Sequence, residues 1–479
     1  MTKNRQGETA IEPDDVFRPD TSIAEIRRRF ADLGPDSTTG IHVAVAGRVI
    51  AHRDAGRLVF VVIRDSSDAI QLFCPASAGQ DVIDLAKDLI LGDIVGASGE
   101  VVTTRTGELS VRPERLVVLR RPARPLPTKW HGISDVETRY RQRYLDFMTN
   151  QEARSILQMR GRILQSLRDT LHDRGFIEVE TPILQPIPGG ATARPFVSHY
   201  EALGVDVYLR VAPELYLKRL LVGGFERIFE LGRCFRNEGI STRHNPEFTM
   251  LEAYQAYTDY RGMMELAKAL VEEAAESTLG KKIVEYQGRA IDVGSPWKVA
   301  YFPELVASVA GEDIGPSTSL ERARTVAKDL RLDIDESWGV GRIAFQIYDK
   351  LCEETLFDPT FVVGFPAEVS PLAKRFADEP FYAQRFEAVI AGRELVNAFT
   401  ELDDPEEQRK RLEEQALRRA AGDAEAMVMD DDFVRALEYG MPPAGGLGLG
   451  VDRLVMLLTN QTSIREVLAF PQLKPEKAP

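Results

Sequence analysis

Arg236 and Glu238 stand two residues apart inside one block, RCFRNEGISTRHNPEFTMLEAY, which runs from Arg233 to Tyr254 and also holds His244, Phe248 and Glu252. A guanidinium presents a rigid fork of donors that can grip a phosphate and a carboxylate together. Phe248 offers a face on which a purine could stack. His244 falls on the loop between two expected strands, within reach of outer phosphates. The set suits a nucleoside triphosphate held beside a small charged substrate. Taken singly, each feature has a plainer account: an Arg-x-Glu triplet arises by chance on any strand, and Phe248 serves equally well as a core aromatic.

Glu387 and Glu394 lie seven residues apart around Ala391-Gly392-Arg393. On adjacent strands, two such carboxylates can hold Mg²⁺ against a triphosphate. Three residues on, Asn397, Phe399 and Glu401 alternate with apolar neighbours and would share one strand face. An Asn, an aromatic and a Glu facing one way suit a cationic, zwitterionic ligand. Glu214 and Glu252 add two more acids. Carboxylates gathered at one site repel unless cations fill it; a lysine-like substrate with Mg²⁺ would supply that charge. Gly445–Arg453 is glycine-rich but lacks the Lys-Ser/Thr of a P-loop. Its glycines let backbone approach a flat ligand closely, and Arg453 would open a helix and point a cation at a phosphate. The plainer alternative is a tight packing turn.

These side chains need a frame. Gln151–Arg174 carries Ile156, Met159, Ile163, Leu167 and Leu171 at helical spacing and is stopped by Gly175. A strand, Phe176–Glu180, follows and ends at Thr181-Pro182. The remainder alternates strands and helices as a mixed α+β domain over 138–479, with a helical insertion expected around 265–364. Pro405–Ala421 reads as a charged amphipathic helix with a solvated face. Upstream, His42–Arg121 is β-rich: about five short strands with a helical stretch, Asp81–Leu91, after the third. That arrangement suits an OB-fold barrel over 39–121. Residues 1–38 read as a mobile N-terminal extension with one short helix near Ile23–Phe30, and 122–137 as a Pro-rich linker.

Composition narrows the functional classes. The chain has 479 residues and is 44% hydrophobic, enough for two or three cored domains. No apolar run approaches the roughly 18 residues of a membrane span, and the polar N-terminus has no apolar signal core. Three scattered cysteines fit free thiols in a reducing cytoplasm. The net charge of −14 disfavours blanket attraction to nucleic acid, so an RNA partner must meet local basic patches. Arg112–Arg124 and Arg139–Arg143 are the candidates.

From about His42 to Pro475 the chain resembles the class II lysyl-tRNA synthetases of subclass IIb. Phe176–Pro182 resembles motif 1, the dimer-forming element; Phe235–Glu238 resembles motif 2; Gly446–Arg453 resembles motif 3. Ile187–Phe196, Ala212–Lys218, Arg243–Thr249 and Ala436–Pro443 resemble stretches of the lysine enzymes. The fold implied is an N-terminal five-stranded OB-fold plus a catalytic domain built on an antiparallel sheet flanked by helices.

The resemblance also implies roles. Arg236 would bridge the lysine carboxylate and the α-phosphate. Glu238 and Phe248 would bind and stack adenine, with Asn245 in the ATP site. His244 and Arg453 would contact the β- and γ-phosphates, and Glu387 and Glu394 would hold Mg²⁺. Gly190 and Glu214 would meet the α-amino group, and Asn397 the carboxylate. Glu252, Tyr254 and Glu401 would read the ε-ammonium beside Phe399. Phe60, Gln71 and Glu108 match positions that read a U-rich anticodon.

One strand departs from the usual Gly-Asn-Gly-Phe: it reads Val396-Asn-Ala398-Phe, and the added side chains are expected to crowd the pocket floor. The implied activity is formation of lysyl-adenylate from L-lysine and ATP and transfer to tRNA(Lys) by a cytoplasmic homodimer with no membrane attachment. Two other readings use the same residues. One sends the lysyl group to a protein or lipid; the other is a non-catalytic nucleic-acid-binding module.

Overall fold

The computed structural model describes residues 16–124, 133 and 135–475. The chain divides into two compact units, Met1–Trp130 and His131–Pro479. The first fifteen residues and much of the expected linker lie outside the described residues.

In the first unit, five strands close a barrel in the order β1-β2-β3-β5-β4. They are β1 (Thr38–Asp54), β2 (Leu58–Arg64), β3 (Ala69–Pro75), β4 (Ile94–Thr103) and β5 (Leu109–Arg120), with a helix Gln80–Asp88 between β3 and β4. Strict alternation makes the barrel core. Val59, Val61 and Ile63 of β2 and Ile70, Leu72 and Cys74 of β3 are fully buried, while the residues between them face outward. Part of the segment read as a mobile extension is folded. Ser22 caps the helix Ile23–Arg29, and Ile23 and Ile26 pack into the barrel core.

The second unit is built on an eight-stranded sheet. Its strands, with the five that lie outside it, are β6 (Ile177–Glu178), β7 (Leu184–Gln185), β8 (Phe196–Tyr200), β9 (Val205–Leu209), β10 (Arg227–Phe235), β11 (Glu247–Ala256), β12 (Ile283–Tyr286), β13 (Arg289–Asp292), β14 (Lys298–Tyr301), β15 (Thr360–Val363), β16 (Arg385–Ile390), β17 (Arg393–Thr400) and β18 (Ala444–Gly450). The large sheet runs β14-β15-β16-β17-β18-β11-β10-β6; β7-β9-β8 form a small sheet, and β12 and β13 a hairpin. Pairing is antiparallel from β15 through β10 and parallel only at the two edges. The helices Gln151–Asp173 and Tyr260–Leu279 join the sheet in one core: Ile163, Leu167 and Leu171 from the first and Met263, Ala267 and Leu270 from the second are buried with Leu251, Ala253 and Leu447.

One expectation needs correction. The stretch 265–364 is not simply a helical insertion: it completes a core helix, adds the hairpin, and supplies β14 and β15 to the large sheet. The helix Pro405–Ala420 is amphipathic, as expected. Gln408, Arg411, Leu412 and Gln415 form a buried stripe at helical spacing, and Arg411 donates to the carbonyls of Ser370 and Ala373.

Candidate active site

The middle of the large sheet carries a cavity of about 410 Å³, lined from β11, β16, β17 and β18 and from the loops at their ends. β10 and β11 pair antiparallel from Arg227↔Gln255 to Phe235↔Glu247, and Arg236 sits just past the end of β10. Its amide donates to Pro246 O at 2.8 Å, and the next amide, of Asn237, donates to Arg194 O at 2.8 Å. The backbone is thus fixed on both sides. The Arg236 guanidinium lies 5.1 Å from the Phe248 ring centroid, and its buried Nε has no hydrogen-bond partner. A stacked guanidinium with spare donors is poised for an anion.

The loop between β10 and β11 is tied by Ser241, whose Oγ accepts from the amides of Arg243 and His244, both at 3.0 Å. Burial, then Arg453, Arg236 and Arg243, hold His244 below the usual imidazole range. Asn245 has its amide engaged: it donates to Glu247 O at 2.6 Å and accepts from the Gln472 amide at 3.2 Å. Its visible work is therefore to shape the loop from the cavity wall.

β18 ends at Gly450, and the helix Val451–Leu458 begins at once. Arg453 lies in its first turn and sits 3.1 Å from Glu394 Oε2. Glu387 and Glu394 are on adjacent strands, as expected, with Glu387 opposite Asn397 and Val389 opposite Glu394. Arg385, two residues before Glu387, lies on the same strand face. Its Nη2 is 2.6 Å from Glu387 Oε1, and its Nε donates to Asn397 Oδ1 at 2.9 Å. That bond consumes the amide oxygen of Asn397 and leaves its NH₂ group for the cavity. Burial pushes Glu387 up to about 8 against Arg385, with Glu394 and Glu353 adding to the rise. Beside it Glu353 is pushed up to about 7 by burial and then by Glu394. This corner has surplus negative charge that a divalent cation would relieve.

The opposite end is acidic and closed. Glu252 and Tyr254 alternate along β11, and the Tyr254 hydroxyl donates to Glu252 Oε2 at 3.0 Å. Burial, then the nearby Glu214, push Glu252 up to about 8. Glu214 opens the helix Glu214–Val222, and Gly190 packs against it. Gly190 has φ +88°, and a Cβ there would come within 3.0 Å of Glu214 Cβ. Glu401 stands behind Gly446; a Cβ on Gly446 would fall 1.9 Å from Glu401 Oε1 and 2.5 Å from Tyr254 Cε1. Side-chain-free backbone at Gly446 is therefore what opens this end.

Fifteen catalytic-unit residues expected at the site thus converge here, from Gly190 to Arg453. Phe60, Gln71 and Glu108 belong to the barrel unit. Phe60 faces outward 5.8 Å from Phe73, Gln71 donates to Ser110 Oγ at 2.9 Å, and Glu108 is exposed.

Two expectations are overturned. Val396 and Ala398 do not crowd the cavity: both are fully buried in the core on the other face of β17, while Asn397 and Phe399 face the cavity. Strand alternation sends them there. The Arg139–Arg143 patch is not offered to a polyanion: Arg143 is buried against Asp146, and Arg139 pairs with Asp146 at 3.0 Å and Glu466 at 3.0 Å. Sequence reasoning missed Arg385 and Lys218. Each had a signal in its spacing, two residues from Glu387 on a strand and four from Glu214 on a helix.

A mostly antiparallel sheet carrying a cavity with arginines at one end and buried carboxylates at the other, in a chain that also has a five-stranded barrel, defines a class. Residues 135–474 match the family of class II tRNA synthetases (D, K and N), and residues 43–119 match the OB-fold nucleic acid binding domain. The chain belongs to the class II tRNA synthetases of this group. Among its relatives, lysine–tRNA ligase of Moorella thermoacetica is 48% identical over 98% of this chain and 96% of its own length. That of Pelotomaculum thermopropionicum is 50% identical over 91% and 87%, and that of Bacillus subtilis 48% over 94% and 91%.

Proposed function

We propose that this chain is a lysine–tRNA ligase. The observation that carries the reading is the polarity of one cavity, with arginines 236 and 453 at one end and three buried carboxylates, Glu214, Glu252 and Glu401, at the other. A substrate with two ammonium groups and a carboxylate fits that gradient. Aspartate or asparagine would leave the buried acids unanswered.

In the first step the lysine carboxylate attacks the α-phosphorus of ATP, giving lysyl-adenylate and pyrophosphate. The carboxylate is already ionised, so no general base is required. Arg236 holds the carboxylate and the α-phosphate together, and Asn397 donates to the carboxylate. Phe248 stacks adenine and Glu238 binds its edge. Arg453 and His244 meet the outer phosphates. Glu387 and Glu394 suit Mg²⁺; among the described residues no cluster of three acid, His or Cys ligands exists, so phosphate oxygens and water would complete the shell. Held by Glu387 and Glu394, the ion would supply neutralisation of phosphate charge. Positioning and charge neutralisation are the whole of the catalysis. In the second step the terminal ribose hydroxyl of tRNA(Lys) attacks the adenylate carbonyl and releases AMP.

Three further features belong to the reading. The barrel binds the anticodon through Phe60, Gln71 and Glu108. A homodimer forms through the motif 1 region, where Ile177, Leu184, Val197 and Val205 on β6, β7, β8 and β9 are about half exposed. The location is cytoplasmic: all three cysteines are free and buried. Among the described residues no helix is long and apolar enough to cross a membrane.

The test is lysine-dependent ATP–pyrophosphate exchange together with charging of tRNA(Lys). Both are expected, and Arg236→Ala should cut exchange by about 10²–10³-fold. Exchange without charging would point to another acceptor, and near-normal exchange in the variant would refute the role of Arg236.

A further inference from the structure

Lys218 is fully buried beneath the acidic end of the cavity. Its Nζ lies 2.7 Å from Glu214 Oε1, pairs with Glu401 Oε2, and sits 5.4 Å from the Phe399 ring centroid. Lys218 thus engages one oxygen of each carboxylate, and Glu401 Oε1 remains a buried acceptor without a donor. The lysine therefore compensates charge while leaving acceptor capacity over.

We propose that Lys218 is a built-in counter-ion that fixes the residual charge of this pocket, and so its selectivity for a substrate carrying two ammonium groups. The inference rests on the lysine–tRNA ligase reading. Every charged group around the pocket enters the count. Glu214 and Lys218 come from the helix Glu214–Val222, Glu252 and Tyr254 from β11, and Glu401 from the residue after β17. Arg210 and Glu230 pair with each other, as do Arg385 and Glu387, and Arg219 with Asp430. What remains is three carboxylates against one ammonium. With the carboxyls ionised, as a bound ammonium favours, two negative charges are left, the number that the α- and ε-ammonium groups of lysine answer. Burial works to lower Lys218, but Glu214 and Glu401 outweigh it and the net direction is up, so it stays cationic. Without Lys218 a third negative charge would stand uncompensated in a dry pocket, and a proton rather than substrate would satisfy it.

Lys218 is a positioning residue, and the test separates charge from structure. Lys218→Met should raise the lysine KM at neutral pH at least about tenfold and leave the ATP KM unchanged. The pH above which the lysine KM stops falling should move upward. Glu401→Gln alone leaves one negative charge too few and also weakens lysine. Adding Lys218→Met to Glu401→Gln restores the count of two, so the double variant should bind lysine better than Glu401→Gln does. A sign change read in the lysine KM of folded protein, rather than in stability, is the coupling that the charge count predicts.

The comparison of Glu401→Gln with the double variant stands even if Lys218→Met alone fails to fold. A double variant no better than Glu401→Gln, or a Lys218→Met protein with the wild-type lysine KM and pH profile, overturns the inference. A wild-type protein without lysine-dependent pyrophosphate exchange would instead overturn the functional reading beneath it.

Discussion

Glu252 shows how burial turns an ordinary carboxyl into a pH-dependent part. In the folded chain it is pushed up to about 8, first by burial and then by Glu214, against an ordinary value of 4.5. Between those two values the native state holds a proton that the unfolded chain has lost. Native stability from this group is therefore complete below pH 4.5 and lost as pH rises through 8, at up to about 1.4 kcal/mol per pH unit. A thermal-unfolding series from pH 5 to 8 should show a falling Tm that Glu252→Gln flattens. Lysine acts in the opposite sense, because its ammonium favours the ionised carboxylate. Its stabilising effect on wild-type protein should grow over the same range. A Tm slope identical in the variant would show that Glu252 is not the group responsible.

Elements decide which face a residue serves, and β17 is the instructive case. Asn397 and Phe399 enter the cavity, while Val396 and Ala398 enter the core with Leu447, Leu449 and the helix Tyr260–Leu279. The departure from Gly-Asn-Gly-Phe is thus a packing change behind the site. Val396→Gly should cost about 3 kcal/mol of stability, from lost burial, a cavity and a freer backbone. The lysine KM should stay at its wild-type value. Denaturant unfolding and steady-state kinetics on one preparation check both halves; a changed lysine KM at full stability would return Val396 to the pocket. β18 works the other way. Its glycines bring backbone where a side chain would fill the acidic end, which explains a glycine-rich run that is not a P-loop.

At the scale of the whole molecule, two units divide the labour. The cavity is complete within His131–Pro479, and the barrel carries its own core in Met1–Trp130. Phe60 is half-buried on the outer face of β2, where Phe73 and Gln71 lie beside it across the pairing with β3. Stacking of a base on an aromatic is worth about 1–3 kcal/mol. Phe60→Ala should therefore raise the KM for tRNA(Lys) by about 5- to 150-fold and leave lysine-dependent pyrophosphate exchange intact. Equal loss in both assays would mean that the substitution damages the fold rather than a contact to RNA.

Much of this was legible in the linear chain because its signals are local. Alternation marked β2 and β3, helical spacing marked Gln151–Asp173, and the Arg233–Tyr254 block displayed its own chemistry. The residues themselves also determined that acids were too many for one site without cations. What only the tertiary structure decided concerns partners far apart in sequence. Lys218 meets Glu401 across 183 residues, Arg139 finds Glu466 across 327, and β14 and β15 join a sheet whose other strands lie elsewhere in the chain. The physical reason is the same in each. A charge reads as available or a strand as separate until folding brings its counter-ion or its neighbour, and spacing along the chain carries no record of that encounter.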